Sequence, residues 1–401
     1  MTLTHKEITP LSSSTAEETH RSLLFDAPHT TVEISKSALL HNIASYRTVL
    51  SPSALLAPVI KSNAYGHGIT EVAQILGGCA DVGYFCVISI SEAIRLRKLG
   101  ITKPILALSI IDAPIGEAIN LEIDFVVYDR SFLEHVDSIA QQLGKKARIH
   151  IKIDTGLSRL GIWHEEGFQF IRHAARLPGI EVVGIFSHFA ASERSDLSFS
   201  HLQLERFFGL IDLLEKQGIH IPLKHFASSA GITSLPQSHL TFARLGVSTY
   251  GLWSSVESKV RMETLHPGFF LRPVMQWKTR VIARKTIPAG SYIGYDCTYQ
   301  TPVPTETAVL PIGYYDGYDR RLSNQGQVKI RGYFFPVRGR IAMNLCIVDV
   351  TTCPDIAVGD EVTILGSEPF ISADTLADQC RTINYEFVSR INPTIIRRVV
   401  E

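Results

Sequence analysis

Between about residue 30 and residue 250, short apolar runs rich in β-branched and aromatic residues alternate with segments whose apolar positions recur at helical spacing. That alternation predicts βα units and a parallel sheet. The candidate strands are LLAPVI from Leu55, VGYFCVI from Val82, ILAL from Ile105, FVVY from Phe125, ARIHIKI from Ala147, EVVGIF from Glu181, LKHF from Leu223 and FARLGV from Phe242. Segments such as SFLEHVDSIAQQLG from Ser131, closed by Gly144, and FSHLQLERFFGLIDLLEKQG from Phe199, closed by Gly218, read as amphipathic helices between them. Eight repeats predict an α/β fold, a (β/α)8 TIM-like barrel over residues 26–264. Beyond about residue 265 the pattern turns to prolines, glycines and short alternating runs such as QVKIRG, CIVDV and EVTILG, with one clear helical stretch near Ser372–Cys380. Residues 265–401 are therefore expected to form a smaller, mainly-β domain. Residues 1–25 are polar and partly acidic where a signal peptide needs an apolar core, and read as a flexible extension.

The chain of 401 residues is 45% hydrophobic, enough to bury at least one large core. Its 39 Lys and Arg balance 39 Asp and Glu and mix evenly with them, which leaves no basic patch to attract nucleic acid. No apolar run approaches the ~20 residues that span a bilayer, so no membrane association is expected. The six cysteines are scattered, with no C-x-x-C pair and no matching histidine cluster. That pattern argues against a disulfide framework and a metal site, and fits a reducing cytoplasm.

Barrel active sites form at the C-terminal ends of the strands. Here Lys61, in APVIKSNAYGHG, follows the first candidate strand, and Lys152, Asp154 and Arg159 end or follow the fifth. Ser187 and His188 end the sixth, Ser228 and Ser229 follow the seventh, and Arg244 and Gly246 lie at the end of the eighth. A lone lysine after a strand is most often a solvated loop residue, and a histidine at a strand edge a structural one. The convergence of the whole set on one mouth calls for chemistry. A lysine partly desolvated there has a lowered pKa and a free amine able to form a Schiff base with an aldehyde, which points to pyridoxal phosphate. Ser229 and the backbone amides around Gly246 and Val247 would supply the phosphate site from the last two βα turns. Arg244 would then face the pyridine nitrogen. An arginine keeps its proton, so the ring would be a weaker electron sink than one paired with an aspartate, favouring a brief carbanion that is quickly reprotonated.

These residues resemble the alanine racemase family of fold-type III pyridoxal-phosphate enzymes. APVIKSNAYGHG is similar to the family signature almost residue for residue, and KIDTGLSRLG, GIFSHFAASE, HFASSAG, FARLGVSTYGL, IGYDCTY, LPIGYYDGYDRRLSN, GRIAMN and TINYE follow in family order. The resemblance implies an isomerase that interconverts L- and D-alanine by a two-base mechanism, supplying D-alanine for peptidoglycan. Lys61 would hold the cofactor and act as one base, and Tyr295 in IGYDCTY would be the opposing base, reaching across a homodimer interface. Tyr65, Ser229, Gly246, Val247 and Tyr314 match phosphate ligands, Arg244 the pyridine partner, and His188 a residue stacked near the ring and linked to Arg244. Arg159 and the Met343 backbone match contacts to the substrate carboxylate. Lys152 matches a lysine that is carbamylated in some members.

Two departures bear on the substrate. Asn344 stands where many members have Asp, and Pro393, or Asn392 by a one-residue slip, stands where the family often has a tyrosine closing the pocket around the substrate methyl. Racemisation of serine or of several amino acids is therefore an alternative, since one hydroxyl is worth only ~1–3 kcal/mol in a simple pocket. A non-catalytic pyridoxal-phosphate-binding protein would lack the IGYDCTY segment, and a decarboxylase would pair the pyridine nitrogen with an acid rather than with Arg244.

Overall fold

In the computed structural model, which describes residues 28–401, each of the eight apolar runs forms a strand; the extension read over residues 1–25 lies outside the described residues. The strands are β1 (Leu55–Pro58), β2 (Phe85–Ser89), β3 (Ile105–Ile110), β4 (Asp124–Val127), β5 (Ala147–Asp154), β6 (Ile180–Phe186), β7 (Leu223–His225) and β8 (Phe242–Leu245). From β2 to β7 each strand pairs in parallel with the next. β8 pairs in parallel with β1, Arg244 opposite Ala57. The two remaining joints close through backbone hydrogen bonds, Gly83 N to Leu56 O (2.9 Å) and Ile60 N to Cys86 O (2.8 Å) on one side, Thr241 N to Lys224 O (3.2 Å) and Arg244 N to Ala227 O (3.1 Å) on the other. The ring of eight is thus complete.

Local chemistry sets the helices between the strands. Asp129 caps Arg130–Gln142 by accepting from Phe132 N at 2.8 Å, and Ser89 caps Ile90–Lys98 by accepting from Glu92 N. The barrel interior is filled by Ala57, Val59, Tyr84, Cys86, Leu106 and Phe242. Along β5 the side chains alternate, so Arg148, His150, Lys152 and Asp154 share the face opposite Ile149, Ile151 and Ile153. One strand therefore carries a row of polar groups from the barrel floor to its mouth.

The chain divides into two compact units, Ile34–Met275 with Val399–Glu401, and Gln276–Arg398 with the described residues up to Glu33. The division thus falls beyond the change of pattern near residue 265. The second unit holds a six-stranded sheet in the order Tyr333–Pro336, Gln327–Ile330, Glu361–Leu365, Met275–Arg280, Thr31–Ser35, Ile396–Val400, and a three-stranded antiparallel sheet of Ala283–Ile287, Thr305–Leu310 and Cys346–Asp349. The strand at Thr31–Ser35 joins this β unit although the sequence pattern assigns it to the barrel, because its partners lie far away in the chain. Trp277, fully buried, packs edge-on against Tyr318 at 6.3 Å in the core of this unit. A helix at Asn384–Ser389 accompanies the expected one, which spans Ala373–Gln379. Among the described residues no helix is long and apolar enough to cross a membrane.

Two glycines separate backbone strain from crowding. Gly218 and Gly251 both lie in the left-handed region (φ +75° and +77°), but a Cβ at Gly218 would meet nothing within 4 Å whereas one at Gly251 would sit 1.9 Å from Arg272 O. Gly218→Ala is expected to cost ~1 kcal/mol and Gly251→Ala ~3 kcal/mol or more, read as shifts in the urea unfolding midpoint. Equal costs would show that crowding at Gly251 is relieved by backbone movement.

Candidate active site

Lys61 begins a single turn, Lys61–Tyr65, in which Ser62, Asn63, Ala64 and Tyr65 all have φ close to +54°. Left-handed backbone costs roughly 1–2 kcal/mol per non-glycine residue, so this turn stores strain. Fixed partners hold it: Glu92 accepts from Ser62 N at 2.7 Å and from Ile88 N at 3.0 Å, and Asn63 Oδ1 accepts from Ile69 N at 3.0 Å. Below it, Tyr250 donates its hydroxyl to Val59 O at 2.9 Å, and its ring stacks on His67. The turn directs Tyr65 toward the last two βα junctions. Ser229 Oγ accepts from Gly246 N at 2.9 Å, and a side chain at Gly246 would begin 3.3 Å from the Tyr65 hydroxyl and 3.5 Å from Ser229 Oγ. Two hydroxyls and a glycine backbone therefore frame a small open cradle, next to buried Val247.

Lys61, Lys152, Arg159 and Arg244 gather at the same mouth, where the arginines act on the lysines. Burial lowers the Lys61 pKa, and Arg159 lowers it further while Glu92 opposes the change. Lys152 is brought to about 8, by burial first and then by Arg159 and Arg244. Arg244, buried, is brought down to about 10 by loss of hydration and stays cationic at neutral pH. His188 is held well below its ordinary value by burial and by all four of these cations, so it is neutral. Asp154 is occupied, its Oδ1 accepting from Gly156 N (2.9 Å) and Ser158 N (3.1 Å) to shape the loop that carries Arg159. A mouth with four cations and so little compensating charge is a site for anions.

Arg244 is held from several sides. Its Nη2 donates to Ser187 O (2.8 Å) and Phe226 O (2.9 Å) and lies 3.3 Å from His188 Nδ1, while Nη1 lies 2.5 Å from His225 Nδ1. The histidine closest to the guanidinium is thus His225, inside the HFASSAG segment but given no role from sequence. Glu92, Tyr250 and Gln203 were missed as well. Gln203 fastens the end of β6 by donating to His188 O at 3.1 Å and accepting from Ala190 N at 2.9 Å. None of these stands beside the residue it supports in the chain. Only the alternation of ARIHIKID, which puts His150 on the inner face with Lys152, offered a sequence signal.

The structure brings Lys61, Tyr65, Lys152, Arg159, His188, Ser229, Arg244, Gly246 and Val247 together on the barrel unit. The remaining candidates, Tyr295, Tyr314 and Met343, lie on the β unit and are exposed at 66%, 43% and 54%. Tyr295 opens a short turn, Tyr295–Cys297, in which Asp296 (φ +61°) lies 3.5 Å from both Arg320 and Arg340. Tyr314 and Tyr315 are tied to the Met343 segment by Tyr314 N to Ala342 O (3.1 Å) and Tyr315 N to Met343 O (2.9 Å).

The family model of the alanine racemase N-terminal domain matches residues 34–254, and that of the C-terminal domain residues 274–399. A protein named alanine racemase 2 from Caldanaerobacter subterraneus subsp. tengcongensis is 37% identical over 372 residues, 92% of this chain and 94% of its own. The alanine racemase of Clostridium perfringens is 39% identical over 371 residues, 91% and 94% of the two chains. Among solved structures, alanine racemase from Clostridium difficile 630 superposes with a TM-score of 0.87 at 33% identity, covering 94% of this chain and 96% of that one. The enzyme from D-cycloserine-producing Streptomyces lavendulae gives 0.86 at 32%, covering 94% and 98%. With both units matched in order and a cation-rich barrel mouth built around Lys61, the chain belongs to the alanine racemase family.

Proposed function

We propose that the protein interconverts L- and D-alanine with pyridoxal phosphate held at the barrel mouth, working as a cytoplasmic homodimer that supplies D-alanine for peptidoglycan. The observation that carries this reading is the half-buried Lys61 amine, its pKa lowered, beside the cradle of Tyr65, Ser229 and Gly246. The cradle fits a phosphate, the row of cations fits a doubly charged coenzyme and a substrate carboxylate, and Arg244 fits an unprotonated pyridine nitrogen. When bound, pyridoxal phosphate supplies the aldehyde that joins the amino group of a substrate and a ring that accepts charge from the α-carbon.

The chain's own residues do the rest. Lys61, its proton affinity lowered by burial, holds the coenzyme and then takes or returns a proton at the α-carbon from one face. Inversion needs a second base on the opposite face. Tyr295 is that base in this reading, and its exposure, with that of Tyr314 and Met343, suits side chains presented to a second copy of the chain. Arg159 and the Met343 backbone would orient the substrate carboxylate, and His188, neutral, would flank the coenzyme without adding charge. Asn392 donates from Nδ2 to Tyr315 O (3.2 Å) and accepts at Oδ1 from Thr394 N (3.0 Å) and Thr394 Oγ1 (2.8 Å). Its oxygen is fully engaged and one amide hydrogen is left, so the preference for alanine rests on the named activity of the similar proteins rather than on this residue.

Borohydride reduction of the yellow holoenzyme should fix the coenzyme on Lys61, as read by peptide mapping, and Lys61→Ala should lose racemisation by at least ~10²-fold; a label on another lysine would overturn the assignment. Tyr295→Phe should lower kcat ~10²- to 10⁴-fold with the coenzyme retained, and unchanged rates in both directions would remove it as a base. In a chiral assay against a panel of L-amino acids, alanine should turn over fastest; comparable kcat/KM for serine would make the enzyme broad in specificity.

Lys152 allows a pH test. Its folded pKa lies below the unfolded value, so the charged form costs stability at and below pH 8, and the cost fades as pH rises from about 8 toward 10.5. At ~1.4 kcal/mol per pH unit this is on the order of 3 kcal/mol. Lys152→Met should therefore be more stable than the wild type at pH 7 in carbonate-free buffer, with an advantage that shrinks toward pH 10. Added bicarbonate should narrow the gap at pH 8 if the amine is carbamylated, because a carbamate is an anion among cations. An advantage independent of pH would contradict the burial of a titrating amine.

A further inference from the structure

We propose that Asp124, on the barrel floor, is a positioning residue for Arg244, acting through a one-way chain of polar contacts that holds His150 and His225 in their Nε2–H forms. The inference rests on the reading above only in treating Arg244 as the partner of the coenzyme's ring.

The direction of the chain follows from what each group can do. A guanidinium only donates. Arg244 Nη1 lies 2.5 Å from His225 Nδ1, so that nitrogen accepts and the His225 proton sits on Nε2. His225 Nε2 lies 2.9 Å from His150 Nδ1, which must then accept in turn, leaving the His150 proton on Nε2. That proton faces Asp124 Oδ2 across 3.5 Å, an electrostatic contact rather than an aligned hydrogen bond. Asp124 begins β4 and is itself buried, with Arg148 Nε donating to Oδ1 at 2.8 Å and the Tyr84 hydroxyl donating to Oδ2. Burial works to raise the Asp124 pKa, but the nearby His150 and the hydrogen bonds from Arg148 and Tyr84 hold it below the ordinary value, and the carboxylate can only accept. Burial likewise keeps both histidines neutral. An obligate donor at the mouth and an obligate acceptor on the floor therefore leave one arrangement of protons for the two rings between them.

The surroundings keep the two rings in place. Phe186 stacks on His225 at 4.6 Å with planes 6° apart, and Phe242 lies 4.5 Å from the same ring. His150 pairs with Gly184 across β5 and β6, where a Cβ would sit 2.2 Å from His150 Nδ1, so the glycine makes room for the ring. With the two rings packed between these apolar groups, a change at Asp124 is felt at Arg244.

Asp124→Asn tests this without changing shape. If the amide oxygen keeps Arg148, the NH2 group takes the place of Oδ2 and faces His150 Nε2 with a donor. His150 then turns to its Nδ1–H form, two donors meet between the histidines, and Arg244 loses its acceptor on His225. Neutron diffraction on the wild type should show deuterium on Nε2 of both histidines, and Asp124→Asn crystals should show the Arg244 guanidinium moved out of hydrogen-bond reach of His225 Nδ1. In the holoenzyme Asp124→Asn should lower kcat about 10- to 100-fold with KM within about twofold, while Tyr84→Phe, which removes a donor from the same carboxylate, should change kcat less than about threefold. Deuterium on Nδ1 of His225 in the wild type, an unmoved Arg244 in Asp124→Asn, or equal kinetic losses in the two variants would overturn the proposal. The diffraction outcomes do not depend on activity, so an inactive protein with this proton order would sink the racemase reading and leave the chain of bonds standing.

Discussion

The site is governed by the crowding of positive charge in a partly desolvated barrel mouth. Burial lowers the proton affinity of Lys61, Lys152 and Arg244, and neighbouring cations add to the effect on the two lysines, Arg159 on both and Arg244 on Lys152. The same crowding does three things at once. It leaves the Lys61 amine able to act as a nucleophile and base, it keeps His188 neutral, and it creates a demand for anions that a phosphorylated coenzyme and an amino-acid carboxylate meet. Such a mouth destabilises the empty protein, which is the usual relation between a functional site and the fold that carries it.

The barrel tolerates this because its supports are rigid. Strain in the left-handed turn after Lys61 is met by Glu92 and Asn63, the Arg159 loop is drawn in by Asp154, and the end of β6 is fastened by Gln203. Each support reaches a backbone group, so the reactive side chains are placed by main chain rather than by one another. The row of polar residues on β5 adds a second kind of support inside the barrel, one that joins the mouth to the floor through groups whose protons have a single consistent order.

Much of this was legible in the residues. Eight β-rich runs at the right spacing foretold eight strands, and the strand-end positions of Lys61, His188, Ser229 and Arg244 foretold a shared mouth, because parallel strands put all their C-terminal ends on one side. The strand at Thr31–Ser35 was not legible as part of the β unit, since its sheet partners are hundreds of residues away and its alternation alone does not name them. His225 was visible as a residue but not as the acceptor facing Arg244, because the choice between His188 and His225 depends on differences in distance of less than 1 Å.

By itself the sequence determined the succession of elements, the two-part organisation and the chemical types at the strand ends, because periodicity and strand polarity are local properties of the chain. Only the tertiary structure decided how far Lys61 and Lys152 lose their protons, which hydroxyls frame the cradle at Gly246 and which histidine accepts from Arg244. Those outcomes depend on burial and on distances between segments far apart in the chain, and hydration and Coulomb forces act on such distances rather than on sequence separation.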